Sequence, residues 1–207
     1  MQIVAINKAK QHLSTLVFDN GEQVSLDTTV CGENLLKVGK ELTDEDLKEL
    51  TEQSNYQRAR SRALWYLDRG DITEKALFQK LVRAGFNEKA SAKVIKRFVE
   101  VELLNDRRYA ENYAEKLLNA NVSKREAVGK MLSKGIPYDL IKQVLESFGN
   151  DEESQIKNLL EGKYRNKLTA QNGAQKVFAS LVRKGFSYSA VRNSIKDYIE
   201  EQEFCGE

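Results

Sequence analysis

Three glycines fifty residues apart, Gly85, Gly135 and Gly185, set the phase of this sequence. Around them Leu81-x-x-x-Gly85-Phe86 aligns with Met131-x-x-x-Gly135-Ile136 and Leu181-x-x-x-Gly185-Phe186. Such a pattern has a physical origin. Glycine takes the left-handed conformation that ends a helix, and the apolar residue after it folds back onto the last turn. Each glycine is therefore expected at positive φ. The same phase relates Val94, Val144 and Ser194, then Ile95, Leu145 and Ile195, then Phe98, Phe148 and Tyr198. Asn87, Pro137 and Ser187 favour a helix start, and Thr73 and Ser123 are placed to cap the helix before the glycine. Ser123 with Glu126 has the spacing of a capping box.

A repeat of this length predicts tandem three-helix units that gain stability by stacking on one another. The expected fold is mainly α: three tandem three-helix repeats in an elongated array behind a small N-terminal β-hairpin and helix segment. Boundaries are expected at 1–53 for that segment, then 54–104, 105–149 and 150–207. In the third unit, Asn166 to Gly173 reads as a longer loop. Gln2–Ile6, His12–Phe18 and Glu22–Asp27 read as strands, with Asp19-Asn20-Gly21 as a hairpin turn. Thr43, followed by Asp44, Glu45 and Asp46, caps the first long helix. A single proline in 207 residues, where ordinary usage would give roughly ten, agrees with a helical chain.

Several function classes drop out. His12 is the only histidine, so neither a His-based triad nor an H-E-x-x-H helix can be built, and it is expected on a strand surface. Cys31 and Cys205 are isolated. Both are expected to stay reduced, with no metal or other cofactor bound. No phosphate loop or G-x-S-x-G occurs, and no carboxylate pair stands out, so the chain is expected not to be an enzyme. No window is long and apolar enough for a membrane span, and the first residues do not form a secretory signal. A cytoplasmic location is expected.

The net charge of +2 hides an uneven distribution. Residues 1–57 hold 5 Lys/Arg against 10 Asp/Glu, and residues 58–97 hold 11 against 4. At 100° per residue, Tyr56, Ala59, Ala63, Tyr66 and Leu67 share one helix face, and Arg58, Arg62, Trp65 and Arg69 the opposite one. A tryptophan among arginines is an anchor for a partner or a nucleic-acid backbone, or an Arg–Trp stack on a solvated helix. Arg60, nearer the apolar face, is a candidate tie to the acidic head. In the third helix Ser91, Val94, Ile95 and Phe98 form the inner stripe, with Lys89, Lys93, Lys96 and Arg97 outside. Together the eight outward residues make the candidate binding surface. No signature of sequence-specific base readout accompanies them. At the next junction, Asn105 or Asp106 is placed to cap a helix whose core face starts with Tyr109 and Tyr113.

The ordered run Ala63-Leu64, Leu67-x-Arg69, Thr73, Leu77-x-x-Lys80-Leu81-x-x-x-Gly85-Phe86, Leu104-Asn105-Asp106-x-x-Tyr109-Ala110 and Lys134-Gly135-Ile136 resembles the RecX family of recombination regulators. Leu181 to Tyr188 resembles the third repeat of its longer, Gram-positive-type members. Ala76 and Ala84 stand where that family usually carries Glu and Lys. The resemblance implies a non-enzymatic modulator of the RecA recombinase in recombination, DNA repair and the SOS response. It would bind RecA filaments on single-stranded DNA and restrain ATPase, strand exchange and filament growth, as a monomer with at most weak direct DNA contact. A general DNA-binding helical-repeat protein and a protein–protein adaptor are the competing readings.

Overall fold

The computed structural model describes residues 1–10, 12–149 and 151–204. Three antiparallel strands, β1 (Ile3–Ala9), β2 (Leu13–Phe18) and β3 (Gln23–Asp27), pair in the order β1-β2-β3. The register sets Ile6 opposite Leu16 and Leu16 opposite Val24. Alternation along β2 buries Ser14, Leu16 and Phe18, as period-2 strand geometry requires. His12 is not a strand residue. It sits exposed in the turn before β2 at φ 58, and its carbonyl accepts from the Thr28 amide at 2.8 Å. A short helix, α1 (Thr28–Glu33), completes the head, whose core joins Ile3, Leu16, Phe18, Leu26, Val30 and Cys31 to Leu42 and Leu50.

Thr43 starts α2 (Asp44–Leu67) with a complete capping box: its hydroxyl accepts from the Asp46 amide, and the Asp46 carboxylate accepts from the Thr43 amide. The helix then runs 24 residues without a break, straight across the boundary expected at 53/54. Nothing between Glu49 and Gln57 breaks a helix, since the stretch contains neither Gly nor Pro. Its N-terminal half packs on the head through Leu50, and buried Ser54 accepts from the Asp27 amide at 2.7 Å. Its C-terminal half enters the first three-helix unit through Ala59 and Ala63. Ser54, not Arg60, is thus the polar tie to the head; Arg60 is exposed and makes no ion pair among the described residues.

The remaining helices follow the expected repeat. The first unit adds α3 (Glu74–Arg83) and α4 (Glu88–Glu100). The second has α5 (Asp106–Asn119), α6 (Lys124–Ser133) and α7 (Tyr138–Ser147). The third has α8 (Glu152–Glu161), a one-turn helix α9 (Arg165–Leu168), α10 (Gly173–Arg183) and α11 (Tyr188–Phe204). Helix α9 occupies part of the stretch expected as loop. It is held by Tyr164, which is buried and hydrogen-bonded to Ser180 Oγ at 2.9 Å.

Gly85, Gly135 and Gly185 have φ of 91, 87 and 96. At each, the glycine amide donates to the carbonyl three residues back, and the next amide donates to Leu81, Met131 or Leu181. These paired bonds are the Schellman motif. Leu81, Met131 and Leu181 are all fully buried, each in the core of its own unit. Ser123 caps α6, but the Glu126 carboxylate does not close the expected capping box. It pairs with Lys130 at 3.1 Å and Lys184 at 3.9 Å. Cys205 lies outside the described residues. Cys31 is a buried free thiol in the head.

The chain divides into two compact units, Met1–Asn105 and Asp106–Glu207.

Candidate functional site

Helix α2 carries Arg58, Arg62 and Trp65 on the side away from Ala59 and Ala63, and with Arg69 from the turn after the helix this stripe becomes a cation–aromatic cluster. The Arg69 guanidinium carbon lies 3.3 Å from the centre of the Trp65 ring, with Arg69 Nη1 donating to the Trp65 carbonyl at 2.9 Å. Arg62 lies over the same ring at 5.2 Å. Trp65 meets Tyr66 edge to face at 5.2 Å, and Lys80 of α3 sits 4.9 Å from the Tyr66 ring. Arg58 reaches the other way and covers Phe86 at 5.9 Å. Trp65 nevertheless stays 43% exposed. Among the described residues Arg58, Arg62 and Arg69 make no ion pair. Among the described residues, no carboxylate pairs with their charge.

Lys80 and Tyr66 are not candidates on sequence grounds. Tyr66 falls on the apolar stripe by helical angle, and Lys80 belongs to another helix. Only packing brings them to Trp65.

The α4 residues behave differently. Lys89 bonds both Glu52 carboxylate oxygens, at 2.8 and 3.0 Å, and this hydrogen bond with its Coulomb attraction holds the Glu52 carboxyl below its ordinary range. Lys93 sits 5.2 Å from the Tyr56 ring, and with Lys89 it lines a cleft of about 300 Å³ between α2 and α4. Lys96 instead lines a groove of about 560 Å³ between α3 and α4, floored by Phe78, Ile95 and Val99. Arg97 pairs with Glu100 at 3.3 Å. Of the eight outward residues, Arg58, Arg62 and Trp65 thus lie along α2, while Arg69 falls in the turn after it, two residues past the helix end at Leu67. Lys89 and Arg97 are already paired, and Lys93 and Lys96 face separate clefts.

Among the described residues no group of three or more His, Cys, Asp or Glu is placed to hold a metal ion, and no helix is long and apolar enough to cross a membrane. The fold and this cluster define the class: a tandem three-helix-repeat protein whose first unit presents arginines, without ion pairs among the described residues, around a half-exposed tryptophan. A family model described as "RecX, first three-helix domain" matches residues 59–98, the same unit. The chain is 28% identical over 207 residues to "Regulatory protein RecX" of Streptococcus gordonii, covering 98% of this chain and 80% of that protein. It is 26% identical to that of Clostridium tetani, covering 92% and 90%. A solved structure described as "Crystal structure of regulatory protein RecX" superposes with a TM-score of 0.71 at 25% identity, over 95% of this chain and 98% of the other. In sequence over most of its length, and in fold, this chain is therefore similar to the RecX regulatory proteins.

Proposed function

We propose that this protein is a non-enzymatic regulator of RecA, acting on the RecA filament on single-stranded DNA and restraining its ATP hydrolysis, strand exchange and growth. It works as a cytoplasmic monomer without a cofactor. The observation that carries the reading is a coincidence of place. Residues 59–98, matched by the family's first three-helix domain, also hold the Arg62–Trp65–Arg69 cluster. Arginines stacked on an aromatic ring suit a surface where phosphates and acidic side chains lie together, because the guanidinium edges stay available while the ring fixes their planes. Direct DNA contact is a minor contribution.

Titrating the protein into a RecA ATPase assay on single-stranded DNA tests this, with binding measured in parallel to filament, bare DNA and RecA alone. Inhibition together with much tighter binding to filament supports the reading. Equal affinity for bare DNA and filament would make it a general DNA-binding repeat protein. Binding to neither would leave an adaptor for another protein.

A further inference from the structure

The second and third repeats meet through a contact built on the glycine turn. Ser123 is fully buried; its hydroxyl accepts from the Glu126 amide at 3.1 Å and donates to the Lys184 carbonyl at 2.5 Å. Gly185 follows at once. A Cβ there would stand 2.8 Å from Arg125 Cβ and 2.9 Å from Ser123 Oγ. The turn that closes α10 is thus a seat for the N-terminus of α6: the carbonyl takes the cap hydroxyl, and the missing Cβ makes room for the first helical turn.

Gly85 forms the same turn in the first repeat, with φ 91 and the same pair of backbone bonds to Val82 and Leu81. Yet nothing lies within 4 Å of a Cβ built there, and Ala84 is exposed. A second copy stacked in register does not fit this seat. In the fifty-residue phase, the position of Thr73 and Ser123 in the third repeat is Gly173. A Cβ at Gly173 would run into the Lys167 and Leu168 carbonyls, because α9 folds over that helix start. The third repeat therefore has no hydroxyl to offer, and helix α9 acts as a terminal cap of the kind repeat proteins need.

We infer that the Ala84–Gly85–Phe86 turn is a docking seat for the N-terminus of a helix from a partner protein. That helix begins with a Ser or Thr cap and carries a carboxylate in its first turn. The cap hydroxyl donates to the Ala84 carbonyl, as Ser123 does to Lys184. Ala84 removes the lysine that meets Glu126 in the later contact, and Arg58, over Phe86 and free of ion pairs among the described residues, takes the incoming carboxylate. This inference does not depend on the RecA reading.

The test uses the intact protein and, as probe, a helix-locked peptide with the sequence of residues 122–134, followed through backbone amide resonances. The peptide should shift Gly85 and Phe86 saturably. Its Ser123→Ala version should bind about tenfold more weakly through loss of the one bond to the carbonyl, since the cap bond is internal to the locked helix and present in the free peptide as well. In the protein, Ala84→Trp should abolish the shift; position 84 has an ordinary φ of −79, so the fold tolerates it, and an unchanged melting curve verifies this. An unmoved Gly85 resonance, equal binding of the two peptides, or an unaffected Ala84→Trp protein each overturns the proposal. A Gly85 shift that grows with protein concentration alone would assign the seat to a second copy and overturn it as well.

Discussion

Replacing Gly185 and Gly85 by alanine, one at a time, separates the cost of a left-handed backbone from the cost of prying two repeats apart. Their φ values, 96 and 91, are nearly equal, so both variants bear a similar penalty for an L-residue in that region, about 1–2 kcal/mol. Only at Gly185 does the new methyl meet anything, and what it meets is Arg125 Cβ and Ser123 Oγ inside 3 Å. The Arg125 Cβ is anchored to its helix and cannot swing away. Overpacking of that kind adds about 1–3 kcal/mol, and it also strains the Ser123–Lys184 hydrogen bond. Gly185→Ala should therefore cost about 2–5 kcal/mol, and Gly85→Ala about 1–2 kcal/mol. Urea unfolding followed by far-UV circular dichroism measures both, and Trp65, the only tryptophan, gives a fluorescence signal specific to the first unit. Gly85→Ala should move the fluorescence transition. If Gly185→Ala costs no more than Gly85→Ala, the close approach of the second and third repeats is refuted.

Exchanging Arg62 and Arg69 for Glu should weaken filament binding and flatten its dependence on salt, since every phosphate interaction removed takes roughly 0.7–0.9 off the logarithmic slope; an unchanged affinity in a folded variant would reduce the stripe to a solvated face. Trp65→Ala should weaken binding at an unchanged slope, because it removes apolar area and no charge, whereas Glu115→Lys on the corresponding face of α5 should matter less. Ser123→Ala removes a helix cap and the hydroxyl that donates to the Lys184 carbonyl, and should lower stability by about 2–4 kcal/mol in urea; a loss below about 0.5 kcal/mol would contradict the two buried hydrogen bonds of this hydroxyl. The Thr43 amide and hydroxyl hold the Asp46 carboxyl below its ordinary range. Its contribution is therefore complete above the ordinary carboxylate pKa and is lost as pH falls through the lowered value. Asp46→Asn should make the urea midpoint less sensitive to acid, and an identical pH profile would count against the cap.

Much of the fold is legible in the sequence because its signals are local. The helix-ending glycines, the Thr43, Thr73 and Ser123 caps and the Asn-Gly turn each act within a few residues of themselves, so spacing alone places them. The length of α2 is not legible in this way, because the charge imbalance changes near residue 57 while the backbone has no reason to stop there. The candidate site is legible only in part. Helical angle puts Arg58, Arg62 and Trp65 together, because they share α2; Arg69 joins them from the turn just after it, through its bond to the Trp65 carbonyl. The angle cannot show that Glu52 neutralises Lys89 from 37 residues away, or that Lys80 arrives beside Tyr66. In the sequence Ser123 is an ordinary cap. Its second bond, to a carbonyl 61 residues on, depends on how the repeats meet.

The unbroken α2 also decides where this chain can be cut. At 1.5 Å per residue its 24 residues make a rod of about 36 Å, with one half seated in the β head and the other in the first repeat. A helix without Gly or Pro is stiff in bending and twisting, so a push on the head is passed to Ala59 and Ala63 rather than absorbed at a joint. Excising residues 1–53 would start the rod in mid-turn, with no Thr43 cap and with Ser54 stripped of Asp27. Removing the head to isolate the arginine-bearing unit would therefore damage that unit, and a fragment that keeps its shape must begin at Met1 and run on to about Asn105.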